Sequence, residues 1–383
     1  MEKKIRRIYK KSIEVLKKCS LENGAIISAD VSNPYYPKNV QEYDYVWPRD
    51  AAYTCVVCDL IGLKKIPRRF FEWCWERSEL FKEKGFFLGN KFNPQGGVTG
   101  ELVGYKYVKR LPPELKKVFT FLNIRGSEFQ PDETGSLLWA MWHNSKSNST
   151  DEFKDMIIKV ADGICSVWKN THFNLPSFDI WEERVALPEN SEKHTYSVAM
   201  CLRGLECASQ IIKPKDRWKV CMRQMRTEVE EAYKKNLRYF VRTFGDRKVD
   251  KIIDSSMFAL VWPCEIFDAN DERIVNTVKE IIKRNDVNGG IMRYRNDKYD
   301  GRINWGKLIS GGGGSWPVLN FWSSIYFSKL GNSEKSLKYF NWVVERIDDY
   351  IPEQIKNGKP ASIMPLAWSH SMFIIAGKML KLF

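Results

Sequence analysis

Histidine is scarce in this chain, with four in 383 residues. Cys55-Val-Val-Cys58 has the spacing of a zinc or redox pair, but it lies mid-helix and no second pair exists to complete a metal site. No run approaches the roughly 18 apolar residues needed to cross a membrane. Residues 1–21 are Lys/Arg-rich and amphipathic, and they lack the unbroken apolar centre and small-residue cleavage site of a secretory signal. There is no Pro/Ser linker and no low-complexity tract, so residues 1–383 read as one domain. There is also no repeated unit, which argues against a solenoid. The nine cysteines (Cys19, Cys55, Cys58, Cys74, Cys165, Cys201, Cys207, Cys221 and Cys264) are odd in number and mostly inside apolar stretches. They suit buried, reduced thiols of a cytoplasmic protein better than a disulfide framework.

Apolar and basic residues are plentiful. The chain is 43% hydrophobic and 13% aromatic, enough for a large core, and carries a formal charge of +14. A basic balance raises the question of nucleic acid. The lysines are spread over amphipathic helices and no nucleic-acid motif accompanies them, so they read as solvated faces. The expectation is no nucleic-acid partner and no membrane partner.

Hydrophobic periodicity is helical almost throughout. The spacing predicts amphipathic helices over 6–22, 66–82, 151–169, 214–236, 270–284 and 334–348. It predicts helices apolar nearly all round over 49–62, 133–144, 192–212, 254–267, 316–330 and 365–379. A helix with one charged face borders water, and one that is apolar all round is surrounded by protein. Six of each in alternation imply an all-α fold, an (α/α)6 barrel of six inner and six outer helices. Links from inner to outer helices are short. Links from outer to inner are mostly long (83–132, 170–191, 237–253, 285–315 and 349–364), and loops of that length are usually functional. All lie at the end where the inner helices begin, where helix N-termini contribute partial positive charge.

Those connections hold the candidate chemistry. The first carries Tyr43-Asp-Tyr-Val-Trp-Pro-Arg-Asp50, in which Trp47 offers a flat apolar face and Arg49 and Asp50 offer donors and acceptors for hydroxyls. The second carries Gln130-Pro-Asp-Glu-Thr-Gly135, with Gln130 and Asp132 at a helix start. Helix capping is the alternative use of Asp50 and Asp132. The third is Asp179-Ile-Trp-Glu-Glu-Arg184, containing Trp181, Glu182 and Glu183. The fifth holds Arg293-Tyr-Arg-Asn-Asp297 and then Gly311-Gly-Gly-Gly-Ser-Trp-Pro317, which reads as a flexible loop able to bring Trp316 over a ligand. The sixth holds Ile351-Pro-Glu-Gln354, with Glu353, and leads to Pro365-Leu-Ala-Trp-Ser-His370, with Trp368. Carboxylates mixed with aromatics at one end of a barrel suit a neutral polyhydroxyl ligand, because rings stack on apolar sugar faces and charged groups hold hydroxyls. His194 and His370 read as core histidines.

These segments, in this order and at this spacing, resemble glycoside hydrolase family 15, the glucoamylase-like enzymes, from about residue 43 to 368. The resemblance implies Glu182 as general acid and Glu353 as general base. It implies Glu183 and Arg293 near the cleavage point, Arg49 and Asp50 on the terminal non-reducing glucose, and Trp47, Trp181, Trp316 and Trp368 lining the pocket. Tyr43 falls near the reacting centre, and Gln130 and Asp132 match more loosely. The β-sandwich domain that often precedes the barrel in prokaryotic members is not expected here. The implied activity is inverting, exo-acting release of β-glucose from α-linked gluco-oligosaccharides, without metal or organic cofactor. Two carboxyls roughly 6.5–9.5 Å apart leave room for the attacking water. Burial of Glu182 against Trp181 and nearby negative charge are expected to keep it protonated, while Glu353 stays ionised. Trehalose or an α-1,6-glucan is the alternative substrate, and a non-catalytic glucan-binding barrel is a reading from another class.

Overall fold

A computed structural model of the chain describes residues 1–99, 129–301 and 312–383. Among them are twelve α-helices: α1 (Glu2–Cys19), α2 (Pro48–Leu60), α3 (Lys65–Glu76), α4 (Phe81–Lys84), α5 (Pro131–Ser145), α6 (Lys154–Val167), α7 (Thr195–Ile211), α8 (Asp216–Glu231), α9 (Glu272–Asn285), α10 (Pro317–Lys329), α11 (Ser333–Glu345) and α12 (Ala367–Met379). Strands are confined to short antiparallel pairs in the connections.

The inner helices contact one another in a closed ring. α2 packs on α5, α5 on α7, α7 on a 3₁₀ segment at Ser255–Leu260, that segment on α10, α10 on α12, and α12 on α2. Each ring member also packs on an outer helix: α12 on α1, α2 on α3, α5 on α6, α7 on α8, the 3₁₀ segment on α9, and α10 on α11. This is the (α/α)6 arrangement. The burial pattern follows from composition. In α2 every residue from Pro48 to Cys58 is buried, whereas α1 buries a stripe that includes Ile5, Ile8, Val15 and Leu16 and leaves its lysines in water. All nine cysteines are buried and unpaired. Among the described residues, no helix is long and apolar enough to cross a membrane.

The fourth inner element departs from expectation. The continuous helix predicted over 254–267 is the six-residue 3₁₀ segment followed by turns. Pro263 accounts for the break, because it lacks an N–H and its ring would clash with the carbonyl four residues back. The ring therefore has five α-helices and one 3₁₀ member. The outer helix predicted over 66–82 is also shorter, ending at Glu76 before the separate turn of α4. Elsewhere boundaries shift by a few residues. Parts of the long links 83–132 and 285–315, including Gly311, lie outside the described residues.

Short inner-to-outer turns are closed by Gly62 (φ +81°) and Gly331 (φ +79°), left-handed positions just past α2 and α10. At the opposite end three inner helices start with proline: Pro48, Pro131 and Pro317. Proline suits the first helical position and forces the residue before it into extended backbone. Those preceding residues are Trp47, Gln130 and Trp316. The chain thus turns sharply out of each connection and into the ring at the end that carries the candidate residues.

Candidate active site

Arg49, 4% exposed, is the centre of one cluster. Its guanidinium lies 3.2 Å from Asp50 Oδ1, 3.3 Å from Asp132 Oδ2 and 3.4 Å from both Glu133 Oε1 and Gln130 Oε1, and its Cζ stands 5.2 Å from the Trp368 ring centroid. Neither α2 nor α5 has a side-chain cap, so Asp50 and Asp132 face Arg49 instead of closing helix ends. One buried cation cannot balance three carboxylates. Burial pushes the Glu133 carboxyl well above its ordinary range, and Asp50 up to about 6 despite Arg49. Ser197 donates to Asp132 at 2.5 Å and Ser28 to Asp50 at 3.3 Å. Gln130 Nε2 donates to the Asp179 carbonyl, tying this cluster to the next segment.

Residues 179–184 form a tight turn between the paired strands Ser177–Phe178 and Val185–Ala186. Asp179 organises it. Oδ1 accepts from the Glu183 and Arg184 N–H groups at 2.9 and 3.1 Å, and Oδ2 pairs with Arg184. Burial works against this charge, but Arg184, His194 and the backbone donors outweigh it and hold Asp179 below the usual carboxylate range. Glu182 sits in left-handed backbone, φ +58°, and accepts from Trp47 Nε1 at 2.7 Å. The expected burial of Glu182 against Trp181 is not found. Glu182 is only partly buried, and the Trp181 indole N–H turns away to Asp254. Glu183 pairs with Arg293 at 2.6 Å and accepts from the Tyr294 hydroxyl. Arg293, itself 2% exposed, also forks onto Asp297 at 2.6 Å through both Nε and Nη2. Its Cζ lies 5.2 and 5.1 Å from the Trp181 and Trp316 rings.

Glu353, 3% exposed, sits just before the hairpin Gln354–Lys356/Lys359–Ala361. Its Oε1 accepts from Tyr43 at 3.3 Å and its Oε2 from Ser362. Burial pushes its carboxyl up to about 7, with Ser362, Arg293, Tyr43 and Tyr299 opposing the rise. A carboxyl expected to be fully ionised near neutrality is therefore in the middle of its titration there. The glycine-rich stretch before Trp316 is pinned where described. Gly313 N donates to the Asp297 carbonyl at 2.7 Å, Gly314 N to Gln354 Oε1 at 2.7 Å, and Ser315 pairs with Ile355. A Cβ on Gly314 would stand 2.6 Å from the Ile355 carbonyl oxygen. Close backbone approach explains these glycines, and the expected flexible loop is not seen there.

Two phenols join the halves. The Tyr43 and Tyr299 hydroxyls are 2.7 Å apart, and the Tyr43 ring lies 4.9 Å from Trp47, the donor to Glu182. Burial and then the charge of Glu353 push both phenols well above their ordinary values, and Glu182 adds to the rise in each. Tyr43 thus contacts Glu353 directly and reaches Glu182 through the Trp47 ring. All thirteen candidate residues, from Tyr43 to Trp368, occur in the linked clusters described above. Sequence reasoning missed Tyr299, Ser362, Tyr294 and Asp254. Tyr299 follows the Arg293-to-Asp297 motif by two residues, which was an available signal. Ser362, at φ +63°, had none. The two histidines are structural. His370 lies between Ser12 Oγ (2.8 Å) and the Ile351 N–H (3.0 Å), and burial lowers it to about 3. His194 lies between Thr243 Oγ1 and the Ser177 carbonyl.

The family model for glycosyl hydrolases family 15 matches residues 123–347, more than half of the chain. The chain belongs to glycosyl hydrolases family 15. An uncharacterized glycosyl hydrolase of Methanocaldococcus jannaschii is 29% identical across 97% of this chain, which spans 55% of that protein. An isomaltose glucohydrolase of Kribbella flavida is 22% identical over 86% of this chain and 83% of its own length. The chain thus spans about half the length of the first of these relatives and most of the second. A glucoamylase structure from Saccharomycopsis fibuligera superposes with a TM-score of 0.68 at 15% identity, covering 100% of this chain and 96% of that one, which shows a shared fold.

Proposed function

We propose that this family 15 chain is an inverting, exo-acting glycoside hydrolase that releases β-glucose from the non-reducing ends of α-linked gluco-oligosaccharides. Glu182 is the general acid and Glu353 the general base. The observation that carries this reading is a chain of contacts joining connections 171 residues apart in sequence: Tyr43 donates to Glu353 and packs 4.9 Å from the Trp47 ring, whose indole N–H donates to Glu182. Glu182 donates its proton to the leaving glycosidic oxygen. Glu353 accepts a proton from a water that attacks the anomeric carbon from the opposite face, inverting it. Arg49 and Asp50 hold hydroxyls of the terminal sugar in this scheme. Glu183 and Arg293, paired beside the acid and flanked by Trp181 and Trp316, hold the sugar that leaves. Gln130 and Asp132 act by fixing Arg49, and Trp368 backs it.

An α-1,6-linked substrate such as isomaltose is the second reading, supported by the Kribbella relative's name and its coverage along the chain. A panel of maltose, maltotriose, isomaltose and trehalose, with the product anomer followed by NMR, separates the readings. Glu182→Gln and Glu353→Gln are each expected to lose about 100-fold or more in kcat while keeping the melting profile of a folded protein. Full turnover in either variant removes that residue from its role, and first-formed α-glucose removes the inverting mechanism.

A further inference from the structure

Glu182 occupies left-handed backbone, which a side chain with a Cβ disfavours because the Cβ crowds the following carbonyl oxygen. Local preference therefore does not hold the carboxylate where it is. Asp179 collars the turn from within. The other fastening comes from outside it. Trp181 Nε1 lies 3.0 Å from Asp254 Oδ1 and 3.1 Å from Oδ2. Asp254 is 1% exposed and stands at the start of the fourth inner element, where its Oδ1 also accepts from Ser256 N at 2.9 Å and Ser256 Oγ at 2.7 Å. Its Oδ2 faces Arg242 Nη1 at 3.3 Å, and Arg242 Nε donates to Asp250 at 2.7 Å. On its other side the Trp181 ring meets Trp316, 5.3 Å between centroids, and the Arg293 guanidinium. The indole is thus clamped between a ring-borne carboxylate and the aromatic wall, and the residue next to it is Glu182.

We propose that Asp254 is a positioning residue for proton donation: by holding the Trp181 indole it holds the Glu182 carboxyl at the leaving oxygen. This inference rests on Glu182 acting as the general acid. Asp254→Asn keeps the size and one acceptor, but turns an NH2 toward the donors of Arg242 and Trp181. The test compares maltose with α-glucosyl fluoride. In maltose the C1–O bond breaks with transfer of the Glu182 proton to the leaving oxygen. In the fluoride the C1–F bond breaks and fluoride departs without that proton. In both, water forms the new C1–O bond and its proton goes to Glu353. A carboxyl displaced by about 1 Å loses its contribution as an acid, so Asp254→Asn is expected to lower kcat on maltose about 100-fold at little-changed KM. Turnover of α-glucosyl fluoride stays close to wild type. Equal losses on both substrates, or no loss on either, overturn the proposal. If Asp254→Asn does not fold, Asp254→Glu keeps the charge facing Arg242 but moves the acceptor of the Trp181 indole, and the same split or its absence decides. Glu182→Gln is run alongside. If it keeps maltose turnover, the reading of Glu182 as acid fails, and that outcome is separate from any result at Asp254.

Discussion

Burial of Glu353 couples its ionisation to both activity and folding, in opposite directions. As the base it works ionised, so kcat/KM is expected to rise with pH through about 7, and a pH–rate profile reads this limb directly. For folding, a carboxyl whose folded-state pKa lies above its ordinary 4.5 binds its proton more tightly when folded. Its stabilising contribution is complete below 4.5 and is lost as pH rises through about 7. At about 1.4 kcal/mol per pH unit that gap amounts to at most about 3–4 kcal/mol. Glu353→Gln carries no such penalty, so its melting temperature is expected to gain on wild type by a few degrees between pH 5 and pH 8. A constant difference across that range would show that Glu353 is not held as described.

At the scale of elements, proline and glycine set where helices begin and how closely they lie. α5 and α7 cross at Gly135 and Gly204. A Cβ on Gly204 would stand 2.7 Å from the Gly135 carbonyl oxygen, and one on Gly135 would stand 2.5 Å from the Met200 carbonyl oxygen. Both neighbours are backbone, so neither can step aside as a flexible side chain does. Gly204→Ala is expected to destabilise the fold by about 1–3 kcal/mol through overpacking, read in denaturant melts. Gly135 ends the Gln130-to-Gly135 motif, yet its purpose is invisible there, because Met200 approaches only once α5 and α7 have packed. The same limit affected the fourth inner element. Residues 254–267 carry the apolar pattern of a helix, and Pro263 overrides it.

At the scale of the molecule, α1 closes the assembly by covering α12. Ile8 and Leu16 are fully buried, and Ser12 Oγ meets His370 Nδ1 at 2.8 Å inside that contact. Loss of residues 1–19 would bare an apolar face of an inner helix in which every residue from Ala367 to Gly377 is buried. The truncated chain is expected to lose its cooperative thermal transition and to aggregate, as calorimetry and light scattering would record. The net charge of +14 does not bear on this closure, since α1 keeps its lysines on the outer face.

Alternation of charged and apolar helical stretches was enough to determine the barrel, because burial of a helix face depends on composition repeated over many residues. Motifs such as Tyr43 to Asp50 and Asp179 to Arg184 were enough to identify the candidate residues. The partnerships among them were decided only by tertiary structure: Trp47 rather than Trp181 on Glu182, Tyr299 on Tyr43, Ser362 on Glu353, and Asp254 behind Trp181. Most join connections far apart in sequence, 73 residues for Asp254 and Trp181 and 135 for Trp47 and Glu182, whereas Ser362 lies 9 residues from Glu353 and meets it across the hairpin between them. A hydrogen bond depends on positions good to a few tenths of an ångström, and those positions exist only after the ring has closed.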